Sequence, residues 1–493
     1  MTPTGLPETP FMLEGDYTPD TGVMYKVVIA GDTCFVVIDS LDEDLLQGYY
    51  YQLSEGCEVV RRCPFTYDRH WRNQRRDAEV YIYQEPEYYV VDDRAYRKPL
   101  YKDTVMRDIE YGKASGYYTS WPDTQNDTYL ELMAGGMVKS LFRGTKTLTM
   151  DIYRPMVDGI SEYRLPLVML MHGGAFLVGD KSDSLITSLC HHFASMGYVA
   201  VSINYRIGFK PTKGEIASTG YAALQDAHAA MRYLVTYAEV YGIDTSLLFV
   251  GGASAGSITA LNLAFMRDKD RPNTVLRNAG EWGDIASSGN SSRATFHIKA
   301  VANMWGAITN LNMLKNSRTD IVSFHGDADQ VVPYSDGFPF SDISTRLGKR
   351  MFDKMYGSEP IDKRARELGY HSVLYPFLGQ GHSLHRSNDG SWNQKNYEFI
   401  RDKITDFFYE EVAGPTPTIE SDGYDTRHYL LSDSGVSEVC WKVEGGFIVK
   451  LLPDGNEIWV VWDEDAPIHR LYASGLNNSN FGFNTHRDIT ILK

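Results

Sequence analysis

The stretch LLFVGGASAGSITALNLAFM, residues 247–266, carries the strongest signal for the fold of this chain. An apolar run typical of a buried strand passes through Gly-Ala-Ser-Ala-Gly into a run typical of a helix. The small residues around Ser254 suit a strained turn that exposes a nucleophilic serine between strand and helix. They equally suit a turn at which a helix packs closely on a sheet. Because both interpretations fit, the other groups of a serine mechanism have to be sought elsewhere in the chain.

Strand candidates alternate with helical segments from about residue 101 to residue 412. The candidates are TLTMDIY, PLVMLM, YVAVSIN, LLFVGG, IKAVANM, DIVSFHG and SVLYPF. This alternation is typical of a mostly parallel sheet that is covered by helices on both faces. We therefore predict an α/β domain with a doubly wound sheet over residues 101–412.

The two ends of the chain have a different pattern. Residues 1–100 contain short segments rich in Val, Ile and Tyr, which predict a small β domain. Residues 413–422 contain prolines without an apolar period and predict a linker. Residues 423–493 return to β character and predict an immunoglobulin-like sandwich. In this last segment CWKVEGG and IWVVW resemble PKD-like modules.

Composition limits the classes of partner. The chain has 493 residues, 43% of them hydrophobic, and a formal net charge of -16. This charge argues against nucleic acid or an anionic membrane surface as the main partner. The polar, Pro-rich start lacks the features of a signal peptide, so we expect either a cytoplasmic protein or the mature form of an exported one. The five cysteines show no metal-type spacing, and Cys57 and Cys63 are either bridged or free.

Acyl transfer by a serine needs a base, an acid that orients the base, and N–H donors for the oxyanion. The donors have a candidate in His-Gly-Gly-Ala, residues 172–175, directly after a strand. The backbone N–H groups of Gly174 and Ala175, together with that of Ala255 after the serine, would form an oxyanion hole. We expect His172 to brace this loop.

The acid and the base have candidates at the ends of two later strands. GDADQVVP offers Asp329, with Asp327 as a rival, and GQGHSLH offers His382, with His385 as a rival. Serine, aspartate and histidine then follow one another in the chain order of the α/β-hydrolase fold. We predict that Ser254, Asp329 and His382 form a catalytic triad.

Residues 101–412 resemble bacterial α/β-hydrolases of the carboxylesterase type, close to feruloyl and acetyl xylan esterases and to HGGG lipases and esterases. The matching strings are LTMDIYRP, LMHGGAFLVGDKSD, YVAVSINYR, DAHAAMRYL, FVGGASAG, FHGDADQVVP and GQGHS. Ala253 and Ser257 depart from the residues frequent beside the nucleophile, and Ala175 replaces the third glycine of HGGG. The resemblance implies a secreted or cell-envelope serine esterase without metal or cofactor, acting on short acyl or feruloyl esters, plausibly of plant polysaccharide.

The substrate pocket and the function have alternatives. Phe176, Tyr205 and Trp305 follow strand ends and are candidates for an acyl or aromatic pocket, although each also suits core packing. A serine peptidase of the prolyl-oligopeptidase type would share the fold and the triad. A binding or adhesion protein that uses the hydrolase domain as a scaffold is the non-enzymatic alternative.

Overall fold

The computed structural model describes most of the chain. Backbone alone is described for residues 23–29, 32–41, 45–53 and 59–68. Further on, the described ranges are 96–121, 143–156, 164–209, 214–277, 282–341, 352–387, 389–421, 427–433, 435–452, 455–462, 466–477 and 482–490. The chain divides into two compact units, residues 94–412 and the remainder.

An eight-stranded sheet forms the centre of the unit 94–412. Its strands are β5 (Asp103–Gly116), β6 (Gly144–Pro155), β7 (Leu165–Met171), β8 (Val199–Ile203), β9 (Ile243–Ala253), β10 (Ala300–Met304), β11 (Asp320–Gly326) and β14 (Ser372–Phe377). The spatial order is β14-β11-β10-β9-β7-β8-β6-β5. The pairs from β14 to β8 are parallel, whereas β6 pairs antiparallel with both β8 and β5.

Helices follow most of these strands. They are α1 (Ser184–Ser195), α2 (Glu215–Thr236), α3 (Ala238–Tyr241), α4 (Ala255–Phe265), α5 (Asn273–Arg277), α6 (Ser358–Glu367) and α7 (Gln394–Ala413). A two-residue ladder joins β12 (Asp336–Gly337) to β13 (Met355–Tyr356). Every residue of β7 and β8 is buried, as expected for parallel strands covered on both faces.

This topology confirms the predicted fold class. All seven strand candidates lie in strands of the central sheet, and the order of its strands, with β6 antiparallel near one edge, is that of the α/β-hydrolase fold. The sequence pattern missed β5, because this edge strand alternates buried or half-buried positions with charged ones such as Arg107 and Glu110.

The described residues of the second unit form three further sheets. One is an antiparallel meander of β1 (Val23–Ile29), β2 (Asp32–Leu41), β3 (Leu45–Leu53) and β4 (Val59–Asp68). Cys57 and Cys63, which the sequence leaves either bridged or free, lie outside the residues whose side chains are described. The positions of the domain boundaries remain predictions.

Two sheets form the C-terminal segment. The first contains β15 (Ile419–Ser421), β16 (His428–Leu431), β18 (Gly446–Leu451) and β19 (Glu457–Trp462). The second contains β17 (Ser437–Glu444), β20 (Arg470–Leu476) and β21 (Gly482–Asp488). Buried residues of both sheets, among them Tyr429, Trp441 and Leu471, form one hydrophobic core, as in a β-sandwich. Within the described residues, no helix is long and apolar enough to cross a membrane.

Candidate active site

Ser254 occupies the turn between β9 and α4. Its φ of 55° and ψ of -119° are unusual for a residue with a side chain, and such strain is typical of a nucleophile held on a sharp strand-to-helix turn. The Ser254 N–H donates to the carbonyl of Met304 at the end of β10 (2.9 Å), which ties the turn to the neighbouring strand. The serine is therefore held at the carboxyl end of the sheet.

Two glycines make this turn sterically possible. A Cβ on Gly252 would overlap the backbone of Gly256, and a Cβ on Gly256 would overlap the carbonyl oxygens of Met171 and His172. The small residues thus allow close helix–sheet packing and the strained backbone of Ser254 together, so this turn is compatible with both interpretations of the stretch.

His382 and Asp329 complete a chain of hydrogen bonds with the serine. The Nε2 atom of His382 lies 2.9 Å from Ser254 Oγ, and its Nδ1 atom lies 2.7 Å from Asp329 Oδ2. His382 lies in the loop after β14, and Asp329 lies in the loop after β11. The structure thus brings together the three residues that the sequence predicted as a triad.

The carboxylate of Asp329 is buried and held by several donors. Its Oδ1 atom accepts the backbone N–H groups of Val331 (2.8 Å) and Val332 (3.0 Å). Burial alone would raise the pKa of Asp329, but the contacts with His325 and His382 outweigh it and hold the pKa well below its usual range. Asp329 is therefore an anion that can orient the His382 imidazole and stabilise its positive charge.

The loop 172–175 lies beside the serine. A Cβ on Gly173 would lie 3.5 Å from the Ser254 Cβ atom, and Gly174 and Ala175 both have positive φ. The backbone N–H groups of Gly174, Ala175 and Ala255 donate no hydrogen bond to another described residue. These N–H groups are therefore free to bind an oxyanion, which is the role that the sequence predicts for them.

His172 and Tyr205 brace this loop from the core. The rings stack with their centroids 4.3 Å apart, and the Tyr205 hydroxyl donates to the His172 carbonyl (2.6 Å). Burial lowers the pKa of His172, and its Nδ1 atom lies 2.8 Å from the Gly173 carbonyl oxygen, so we assign a neutral ring with the proton on Nδ1.

A cavity of about 480 Å³ is lined by Ser254, Ala175 and Ala255. Its apolar and aromatic lining includes Phe176, Ile216, Ile258, Met266, Val331, Val332, Phe340, Phe352 and Met355. Polar lining comes from Arg271, Asn273, Thr274, Arg277, Asp353 and Lys354. A largely apolar cavity with a few polar groups is typical of small-molecule sites.

Of the three predicted pocket residues, only Phe176 is among the described residues that line this cavity. Tyr205 is fully buried behind the loop 172–175, and Trp305 is 1% exposed. The Trp305 ring stacks on His385 with the centroids 5.6 Å apart. For Tyr205 and Trp305 the core-packing alternative is therefore the correct one.

The two rival residues have other positions. Asp327 accepts the N–H of Gly379 (2.6 Å) and so connects the loop after β11 to the loop that carries His382. His385 is buried against Trp305, and burial lowers its pKa to about 3, with the charges of Arg386 and His382 acting in the same direction. Neither Asp327 nor His385 therefore takes part in the hydrogen-bond chain of Ser254, His382 and Asp329.

One residue near the triad was not singled out from the sequence. The Nε2 atom of His325 lies 3.2 Å from Asp329 Oδ2 and 3.1 Å from the Val332 carbonyl oxygen. The sequence places His325 within a buried strand, and no local signal distinguishes it from a core histidine.

A separate group of potential metal ligands lies at the opposite end of the sheet. Asp320, His371 and Glu411 bring one ligand atom each within 4.8 Å of one another. Asp320 begins β11, whereas Asp329 follows the other end of this strand. The cluster is therefore separate from Ser254.

The chain thus has the α/β-hydrolase fold, with Ser254, Asp329 and His382 after the carboxyl ends of three parallel strands. A protein-family model described as BD-FAE matches residues 150–323, less than half of the chain. This match includes Ser254 and the loop 172–175.

Among the curated relatives, gut esterase 1 of Caenorhabditis briggsae is 28% identical over 25% of this chain and 22% of its own length. Probable carboxylesterase 2 of Arabidopsis thaliana is 29% identical over 31% of this chain and 47% of its own length. The chain thus spans less than half of either relative. Among solved structures, apo esterase 2 of Thermogutta terrifontis is 19% identical in sequence, with a TM-score of 0.37. The match covers 54% of this chain and 90% of the esterase chain.

Proposed function

We propose that this protein is a serine carboxylic ester hydrolase that works through an acyl-enzyme. The observation that carries the proposal is the hydrogen-bond chain from Ser254 Oγ through His382 to Asp329, on a strained turn that lines a cavity. The curated relatives with esterase names support the same reaction class.

In the acylation step, Ser254 Oγ attacks the ester carbonyl carbon while His382 Nε2 takes the hydroxyl proton. The N–H groups of Gly174, Ala175 and Ala255 bind the oxyanion that develops on the carbonyl oxygen. The imidazolium, stabilised by Asp329, then gives its proton to the departing alcohol oxygen. The acyl group remains on Ser254.

In the deacylation step, His382 takes a proton from water as this water attacks the acyl carbon. The second tetrahedral intermediate uses the same N–H groups. Its collapse returns the proton to Ser254 Oγ and releases the carboxylic acid. This sequence needs no metal or organic cofactor.

For the substrate, we propose short acyl or feruloyl esters in which a plant polysaccharide is the alcohol half. The volume of the cavity suits a small acyl group, and aromatic rings such as those of Phe176, Phe340 and Phe352 suit an aromatic one. The resemblance to feruloyl and acetyl xylan esterases supports the same class. Export to the periplasm, cell envelope or medium remains a prediction from this resemblance.

The test is covalent labelling with a fluorophosphonate, followed by an ester panel. We expect labelling of the intact protein and none of Ser254→Ala, because the probe reacts with an activated serine. The panel contains acetylated xylan, methyl ferulate and p-nitrophenyl esters of rising chain length, with a dipeptide amide as the peptidase substrate. Failure on every ester would overturn the proposal, and absence of labelling would favour the binding-protein alternative.

A further inference from the structure

His325 is buried in β11 and contacts Asp329 and Val332 in the loop that follows this strand. Its Nε2 atom lies 3.1 Å from the Val332 carbonyl oxygen and 3.2 Å from Asp329 Oδ2. Both atoms are acceptors, so this nitrogen has to carry a proton. The N–H of Val332 in turn donates to Asp329 Oδ1 (3.0 Å). One imidazole therefore contacts both the carboxylate and the turn that holds it.

A buried hydrogen-bond chain leads to His325 Nδ1 and is the basis on which we assign the tautomer of His325. The backbone N–H of Gly306 can only donate a hydrogen bond, so the Asn303 side-chain atom that it faces at 3.0 Å is the oxygen Oδ1. The Asn303 amide nitrogen is then the atom 2.9 Å from Ser358 Oγ, to which it donates. Ser358 Oγ accepts this N–H, and we assign its own hydroxyl proton to the hydrogen bond with His325 Nδ1 (2.7 Å). An accepting Nδ1 with a protonated Nε2 is the neutral tautomer.

The same chain reaches the helix that follows the nucleophile. Ser257, in the first turn of α4, donates to Asn303 Oδ1 (2.6 Å). Ser257, Asn303, Ser358 and His325 are all fully buried, where an unpaired polar group would be costly. The hydrogen bonds thus connect the element that holds Ser254 to the loop that holds Asp329.

We propose that His325, as a neutral imidazole with its proton on Nε2, is a positioning residue for the catalytic acid. It holds Asp329 and the Val332 carbonyl in the arrangement that orients His382. This inference rests on the proposed function. Three titratable groups face His325. Asp329 lies in the loop after the same strand, and His382 lies beyond its carboxylate. The Tyr334 ring is edge-on to the His325 ring, with the ring centroids 5.7 Å apart.

Two amide substitutions separate the contacts of the two ring nitrogens. His325→Gln places an amide nitrogen near the position of Nε2, with one hydrogen for Asp329 and one for Val332. His325→Asn is shorter, so it can reach Ser358 but not Asp329. The two variants are matched in chemistry and differ in which contact they keep.

The experiment measures the rate constant of fluorophosphonate labelling, kcat and KM for each folded variant. For His325→Asn we expect the labelling rate and kcat to fall at least about tenfold with little change in KM, because a displaced catalytic group costs rate and not substrate affinity. We expect His325→Gln to stay within about threefold of the wild type.

The outcomes separate this inference from the proposed function. No labelling of the wild type would overturn the proposed function. If the wild type is labelled, two results would overturn the positioning role and leave the proposed esterase activity standing. One is that His325→Asn is labelled at the wild-type rate. The other is that both variants are equally slow and equally destabilised. If His325→Asn does not fold, the ¹⁵N signals of the histidine ring in the wild type decide, because a proton on Nδ1 of His325 contradicts the assignment.

Discussion

At the scale of single residues, the two histidines three positions apart after β14 show how environment divides their roles. His382 keeps some contact with solvent and has partners on both ring nitrogens. His385 is 7% exposed, and its Nδ1 atom has no hydrogen-bond partner among the described residues. A buried ring without partners is held neutral, and it contributes packing instead of proton transfer.

We predict that His385→Phe keeps activity and stabilises the protein selectively in acid. The folded-state pKa of His385, about 3, lies below the usual value near 6.5, so its stabilising contribution is present above pH 6.5 and is lost as the pH falls. The free energy of unfolding of the phenylalanine variant minus that of the wild type should be about 2 kcal/mol larger at pH 5 than at pH 8. Urea unfolding of both proteins at the two pH values measures this.

Activity provides the second half of this prediction. The kcat/KM of His385→Phe should stay within about threefold of the wild type, whereas His382→Ala should lose at least about a thousandfold. An equal stability difference at pH 5 and pH 8 would contradict the assigned burial effect. Similar losses of activity in the two variants would contradict the choice of His382 as the base.

At the scale of elements, the junction of β7, β9 and α4 sets the geometry of the site. The strained Ser254 and the loop after β7 can approach each other because Gly252 and Gly256 leave no side chain between them. The helix begins at Ala255, whose N–H therefore has no partner within the helix. One junction thus holds both the proposed nucleophile and one of the proposed oxyanion donors.

We predict that Gly256→Ala destabilises the unit by about 2 kcal/mol or more and lowers kcat beyond the loss of folded protein, because the methyl group overlaps the Met171 and His172 carbonyls. Gly144→Ala is the matched control, because a Cβ on Gly144 meets nothing within 4 Å, and we expect a change within about 0.5 kcal/mol. Thermal unfolding and active-site titration measure both effects. Equal behaviour of the two variants would contradict the close packing at the junction.

The sequence predicted the parts of the site that local motifs carry. Ser254, Asp329 and His382 each follow an apolar strand, and the carboxyl ends of parallel strands meet at one edge of a sheet, so their approach could be expected. Tyr205 also follows a strand end, but position along the chain does not determine whether a side chain faces the cavity or the core. The contacts of His325 come from segments that are far apart in sequence, and no local pattern could have predicted them.

At the scale of the whole molecule, the described parts of the site lie within one of the two units. Ser254, Asp329, His382, the loop 172–175 and every residue that lines the cavity belong to residues 94–412. The described residues of the main hydrophobic core all belong to this unit, and the C-terminal sheets have a core of their own. A domain with its own core can in principle fold alone.

We predict that a chain of residues 94–412 folds and hydrolyses small p-nitrophenyl esters with a kcat/KM within about threefold of the full chain, because the reacting groups and their support are all internal to it. If the β sheets of the other unit bind carbohydrate, the shortened chain should lose rate on acetylated xylan while it keeps its rate on the small ester. Matched kinetics on both substrates, with circular dichroism as the check of folding, measure this. A folded fragment that fluorophosphonate does not label would show that the second unit contributes to the site itself.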